Sequence, residues 1–184
     1  MMSLPWNLFL ARRAINFVNI TLGITSPNQL PAETQEQQNQ KSEYNNQVSL
    51  MRNRVENIVD RAWKRRNSRE ERNDLYRKVI MGTSAYVIEN RIGNCAEKSC
   101  VAFTRLKRMG AKPLELFEIN INNQDDDYHS IVVIGRTTGN SQQPRTWNHE
   151  AVICDAWSKQ AYPSTLYENN IAFAGQLTLL HRYD

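Results

Sequence analysis

The sequence predicts an α+β fold in which helices lead into an antiparallel sheet. Apolar residues recur at helical spacing through two stretches of the first half and again after Cys95. From Leu114 onward the pattern changes to short alternating or uniformly apolar runs, the mark of strands. A chain of 184 residues with 40% hydrophobic content can also bury one core and still carry an extension.

The first segment, residues 1–24, reads as an apolar helix carrying Trp6, Leu8, Phe9, Leu10, Ile15, Phe17, Val18, Ile20 and Leu22. Arg12 and Arg13 in its middle make it a poor membrane span. It has neither a basic leader nor a small-x-small site after it, so it does not follow a signal peptide's pattern. On a helical wheel Trp6, Phe9, Leu10, Phe17 and Ile20 share much of one side. That side suits packing on the chain's own domain, the commoner use, or contact with a membrane surface through residues 4–24. Residues 25–47 are nearly devoid of apolar side chains and read as a polar linker, unable to offset the entropy of ordering.

Residues 48–184 then form the main domain. Val48, Met51, Val55, Ile58, Val59 and Ala62 follow helical spacing, and the basic run Lys64-Arg65-Arg66 complements a helix C-terminus. Ser68-Arg69-Glu70-Glu71 is a capping-box pattern opening a second helix. Its buried face carries Leu75, Val79, Ile80, Tyr86 and Ile88, and Gly82 is a point of interruption. A third helix starts at Cys95, buries Ala96, Cys100, Val101, Phe103 and Leu106, and stops at Gly110. Strands follow at 114–119, 129–135 and 151–155, with Asp125-Asp126-Asp127 in the turn between the first two and a last strand at 176–180.

The chemistry centres on Gly93-Asn94-Cys95-Ala96-Glu97. A cysteine in the first helical turn meets unpaired N–H groups and the positive end of the dipole, which favour negative charge on its sulfur. A thiolate nucleophile needs a base and a group that orients the base. His129 opens one strand and Asp155 closes another, so each stands where a side chain can be aimed into a cleft. His149 reads as a loop residue and His181 as an exposed one. In this arrangement His129 takes the thiol proton and later protonates the leaving nitrogen, while Asp155 fixes the imidazole tautomer. Trp157 is placed to shield that hydrogen bond, or is a plain core tryptophan. Asn94 offers a carboxamide for the oxyanion, or simply an N-cap. Cys100 and Cys154 read as core residues.

Gly-Asn-Cys-Ala-Glu, Tyr-His-Ser-Ile-Val-Val-Ile-Gly and Cys-Asp-Ala-Trp-Ser, within roughly residues 70–165, resemble the papain-like and transglutaminase-like superfamily, which runs Cys, His, Asp in chain order. Two departures stand out. Ala156 follows the aspartate where many relatives have proline. Glu89-Asn90-Arg91-Ile92 lies where papain has an oxyanion glutamine. The resemblance implies a papain-like core and a thiol-dependent acyl-transfer enzyme acting on a protein's amide bonds, as a cysteine protease or a glutamine deamidase or transglutaminase. It also implies a bacterial secreted effector that works in the reducing cytosol of a host cell. The alternative is a catalytically inactive protein-binding adaptor on the same fold.

Other classes fit poorly. Three cysteines, none in Cys-x-x-Cys, and three histidines argue against a zinc site and for a reducing compartment. No cofactor motif is present. The net charge of +4 is mild, and the basic stretch over 52–78 is interleaved with Glu56, Asp60, Glu70, Glu71 and Asp74, so no nucleic-acid partner is expected.

Overall fold

A computed structural model describes residues 2–63, 69–121 and 128–184, with the side chains of 58–63 and 69–73 left aside. The expected basic helix end at 64–66, the capping box at Ser68, the inward positions of Ile58, Val59 and Ala62 and the acidic turn at 125–127 lie outside the described residues.

The fold is α+β. Helices α1 (Leu4–Asn16), α2 (Gln35–Trp63), α3 (Arg69–Asn90) and α4 (Cys95–Arg108) precede the sheet, and a short α5 (Tyr167–Asn170) falls before its last strand. Strands β1 (Leu114–Asn120), β2 (Tyr128–Ile134), β3 (Val152–Asp155), β4 (Gln160–Pro163) and β5 (Gln176–Tyr183) make one sheet in the order β4-β3-β2-β1-β5, every pair antiparallel. The short β4, absent from the sequence reading, is the return arm of a hairpin from β3.

Both sheet faces are covered. Leu114, Leu116, Val132, Ile134, Val152 and Cys154 pack with α1 and α4; Phe117, Ile119, Ile131, Val133 and Ile153 form a second core with Trp147, Tyr162 and Tyr167. This double burial explains why β2 reads as a continuous apolar run rather than an alternation. Glu115 sits fully buried in β1, where Arg136 and Arg182 (Nη1–Oε1 2.8 Å) hold its carboxylate.

Four expectations change. Residues 25–47 are not a linker throughout, because α2 begins at Gln35. The Thr34 hydroxyl accepts the N–H of Gln37 at 3.2 Å, and Gln37 Oε1 accepts the N–H groups of Thr34 and Glu33 at 3.1 and 3.0 Å. That is a capping box, and the long unbranched Gln, Glu and Lys side chains after it lose little entropy in a helix. Tyr44, Val48, Met51 and Val55 then dock the helix on the core. Second, α3 runs through Gly82 without a break, since an exposed glycine there costs only about 1 kcal/mol.

The third change concerns α1. Its buried face carries Asn7, Leu10, Ala11, Ala14 and Ile15, continuing to Val18, against β3, β4 and α4. The two alanines permit close approach. Of the side grouped for packing or for membrane contact, Leu10 is inside, whereas Trp6, Phe9 and Ile20 are 48%, 45% and 76% exposed. Trp6 stacks on Phe9, and the Arg13 guanidinium lies over the Phe9 ring. Among the described residues no helix is long and apolar enough to cross a membrane.

His181, expected to be exposed, is buried in β5 against Phe103 and Tyr76. Burial and the nearby Lys107 lower its pKa, so it stays neutral at pH 7.

Candidate active site

The position of Cys95 is built by contacts on either side of it. Gly93 passes so close to the first turn of α4 that a Cβ there would meet the Glu97 Cβ at 2.5 Å. Gly93→Ala is therefore expected to cost roughly 1–3 kcal/mol and to displace the helix start. Urea denaturation measures the first effect and slowed alkylation of Cys95 the second.

The backbone N–H of Asn94 donates to Glu97 Oε2 at 2.9 Å. Glu97 is itself buried and clamped by Arg52 of α2, Nε to Oε1 at 2.8 Å and Nη2 to Oε2 at 3.1 Å. Burial works against the guanidinium's charge, but the paired carboxylate outweighs it and raises the Arg52 pKa. Glu97 therefore does more than complement the dipole. Arg52→Met strands a buried carboxylate and is expected to destabilise the fold by on the order of 2 kcal/mol. That is less than a fully buried pair loses, because Arg52 is partly exposed. A thermal melt reads this out.

Cys95 is the first residue of α4, 8% exposed, with Sγ 3.7 Å from the Tyr128 carbonyl oxygen. One turn on, the Ser99 hydroxyl donates to the Ser130 carbonyl at 2.8 Å and ties α4 to β2 on the far side of His129. His129 is buried. Its Nε2 is 2.7 Å from Asp155 Oδ2, which leaves Nδ1 for the thiol. The pairing of Val132 with Cys154 puts Ile131 opposite Asp155 when continued by one step, so His129 and Asp155 are diagonal neighbours on one sheet face.

The other oxygen of Asp155 accepts the N–H groups of Trp157 and Ser158, both at 3.0 Å. Trp157 meets the His129 ring edge-on at 5.6 Å, and Phe173 tilts over both rings at 5.1 and 5.4 Å. The two aromatics screen the His129–Asp155 bond from water.

Electrostatics follow from this geometry. Burial alone would lower the His129 pKa, but hydrogen bonds to Asp155 and to Cys95 outweigh it and raise the imidazole to about 9. Burial alone would raise Asp155; its bond to His129 and the turn N–H at Ser158 lower it instead. Both therefore carry charge at neutral pH. Burial pushes Cys100 up to about 12 and Cys154 up as well, so these two remain thiols. All three cysteines are free, and among the described residues no cluster of His, Cys, Asp and Glu is arranged to hold a metal.

The segment after α1 also reaches the site. Thr25 pairs with Ile92, just before the Cys95 motif, through two backbone bonds, its N–H to the Arg91 carbonyl at 2.8 Å and the Gly93 N–H to its carbonyl at 2.9 Å. The Ser26 hydroxyl donates to the Gly93 carbonyl at 3.1 Å. The Asn28 N–H donates to Asn94 Oδ1 at 3.2 Å, while Asn28 Oδ1 accepts the Trp157 indole N–H at 3.0 Å. Gln29 Nε2 donates to the Trp157 carbonyl at 3.2 Å. A strap of residues 25–29 thus spans the Cys95 and Asp155 ends of the site.

Cys95, His129 and Asp155 are brought together as their chain order suggested, and Asn94 and Trp157 stand beside them. Asn28, Gln29, Arg52 and Phe173 went unrecognised in the sequence. Arg52 lies on the helix that the spacing of Val48, Met51 and Val55 signals, but no local pattern marks its reach to Glu97. No family model, curated protein or solved structure matches this chain.

Proposed function

We propose that this protein is a thiol-dependent acyl-transfer enzyme acting on amide bonds of a protein substrate, with a papain-like or transglutaminase-like core. The observation that carries the reading is the buried, short His129–Asp155 hydrogen bond beside a cysteine at a helix N-terminus. A packed core has no need of that combination, since an ionised pair costs desolvation that apolar side chains avoid.

In the proposed reaction the Cys95 thiolate attacks the amide carbonyl while His129 is imidazolium. The tetrahedral oxyanion faces the first N–H groups of α4. Among the described residues, Asn28 Nδ2 and Asn94 Nδ2 have no partner in the fold and are the carboxamide donors at the site's mouth. His129 Nδ1 passes its proton to the leaving nitrogen, giving a thioester and a free amine. Water then releases the acid, or a second amine forms a new amide. An amine from the peptide backbone makes the enzyme a protease; ammonia from glutamine makes it a deamidase or, with an acceptor amine, a transglutaminase. Glutamine deamidation and proteolysis rank close together. Ammonia release without chain cleavage supports the first, a new N-terminus on a target the second.

The chemistry is tested by the alkylation rate of Cys95 against pH, followed by mass spectrometry, in wild type and His129→Ala, with Cys100 and Cys154 as internal controls. Fast reaction at Cys95 below about pH 7, lost or moved to higher pH in the variant, is expected. Three equally slow thiols, indifferent to His129, would overturn the enzymatic reading and favour a binding adaptor. In the acyl-transfer reading the protein works in a reducing cytosol, as a bacterial effector delivered into a host cell would. The exposed Trp6, Phe9 and Ile20 face of α1 is where contact with a membrane surface would be made.

A further inference from the structure

The catalytic reading leaves the buried ammonium of Lys98 unused. Lys98, one turn after Cys95 on α4, is 2% exposed, a rare position for an ammonium. Its Nζ donates to Asn19 Oδ1 at 2.9 Å. Asn19 in turn donates to the Ala156 carbonyl at 2.8 Å and to the Ile15 carbonyl at 3.0 Å. Asn19 can turn inward because α1 widens into a single π-helical turn over Phe17–Thr21. A chain of contacts therefore runs from α4 through α1 to the residue after Asp155.

We propose that Lys98 is a fourth charged member of this centre, a positioning residue that balances the negative charge of the triad and fixes the Asp155 turn through Asn19. The inference rests on the catalytic reading above. A thiolate, an imidazolium and a carboxylate together leave one uncompensated negative charge in a buried site, and an unpaired buried charge is costly. The Lys98 ammonium brings that sum to zero. The packed elements present Asp155, which favours the charged lysine, and Lys159 in the β3–β4 turn, which opposes it; Asn19 is the neutral acceptor between them. Burial, more than Lys159, lowers the Lys98 pKa to about 8, so the compensating charge is present at neutral pH and is lost as pH rises through that value.

The test is the pH profile of Cys95 alkylation in the full chain, compared among wild type, Lys98→Met, Lys98→Arg and Asn19→Asp, each with a thermal melt. Removing a positive charge raises the pH at which a nearby thiolate forms. Lys98→Met is therefore expected to shift the profile upward by at least about half a pH unit, roughly a threefold loss of rate on the rising limb. Its melting temperature should hold, because an apolar side chain replaces a buried charge. Lys98→Arg should keep the wild-type profile. Asn19→Asp, which sets a carboxylate against Lys98, should shift it in the same direction as Lys98→Met without removing the lysine.

Profiles that stay at the wild-type position in both Lys98→Met and Asn19→Asp overturn the proposal and leave Lys98 as packing. If wild-type Cys95 is slow at every pH and indifferent to His129, the catalytic reading falls and this inference falls with it. A fast wild type with unmoved variants sinks the role of Lys98 alone.

Discussion

On the proposed acyl-transfer chemistry, Asp155→Ala is expected to reduce turnover by about 10³-fold or more, because the imidazole loses both its orientation and the partner of its charge. Single-turnover kinetics on a glutamine or peptide-amide substrate would measure this. The same substitution has a stability signature with a defined sign. Folding raises the His129 pKa from 6.5 to about 9, so its contribution is complete below about pH 6.5 and disappears as pH rises through about 9. Folding lowers the Asp155 pKa from 3.8, so its contribution is present above that value and is lost on further acidification. The stability gap between wild type and Asp155→Ala should therefore be widest between about pH 4 and 6.5 and close toward pH 9. Urea denaturation at pH 5.5 and at pH 9.5 would separate the two regimes. A gap that grows with pH would contradict an ionised His129–Asp155 pair.

Deleting residues 1–46 is expected to abolish folding, not merely to trim an appendage. The deletion strips Leu10, Ile15, Val18 and Ile24 from the core that also holds Val152, Cys154 and Ile134. Each buried aliphatic side chain contributes roughly 1.5–3 kcal/mol, and four of them approach the whole stability of an ordinary domain. Polar anchors go too. Asn7 Nδ2 donates to the Glu150 carbonyl at 2.8 Å, and Asn19 would no longer hold Lys98 or the Ala156 carbonyl. The cut also removes the capped first three turns of α2, whose later residue Arg52 clamps Glu97 beneath Cys95. Circular dichroism and limited proteolysis of the truncated chain would show this as loss of a cooperative transition. A truncated protein that melts cooperatively and keeps fast Cys95 alkylation would mean that α1 rests on the domain without supporting it.

The elements that were legible share a physical reason: their signals are local. Asn94-Cys95 before an apolar helical pattern and Gly110 after it fix α4 at both ends, since caps and left-handed stops act within a turn. The alternating run at 114–119 and the apolar runs at 129–135 and 151–155 identify β1 to β3; in β2 and β3 burial on both faces removes any alternation of polar side chains. Segment 25–47 misled because its composition suggested disorder, whereas its helix depends on one capping box and on distant surfaces for Tyr44 and Val48. The wheel for α1 misled for a related reason. Hydrophobicity names an apolar side, but the close approach to β3 and β4 selects the side with Ala11 and Ala14 and leaves Trp6 and Phe9 outside.

The site divides along the same line. By itself the sequence determined the chemical types available, a cysteine at a helix start, a histidine opening a strand and an aspartate closing another, because each is set by its own few neighbours. Only the tertiary structure decided that these meet. The register of β2 on β3 makes His129 and Asp155 diagonal neighbours, and no local preference encodes a register between strands whose partners lie 22 residues apart, as Val132 and Cys154 do. Tertiary packing also delivered Asn19, Asn28, Gln29 and Arg52 from a first third of the chain that carries no catalytic motif. Their hydrogen bonds to the site span 45 to 137 residues, a distance over which packing of the core, not sequence proximity, sets what touches what.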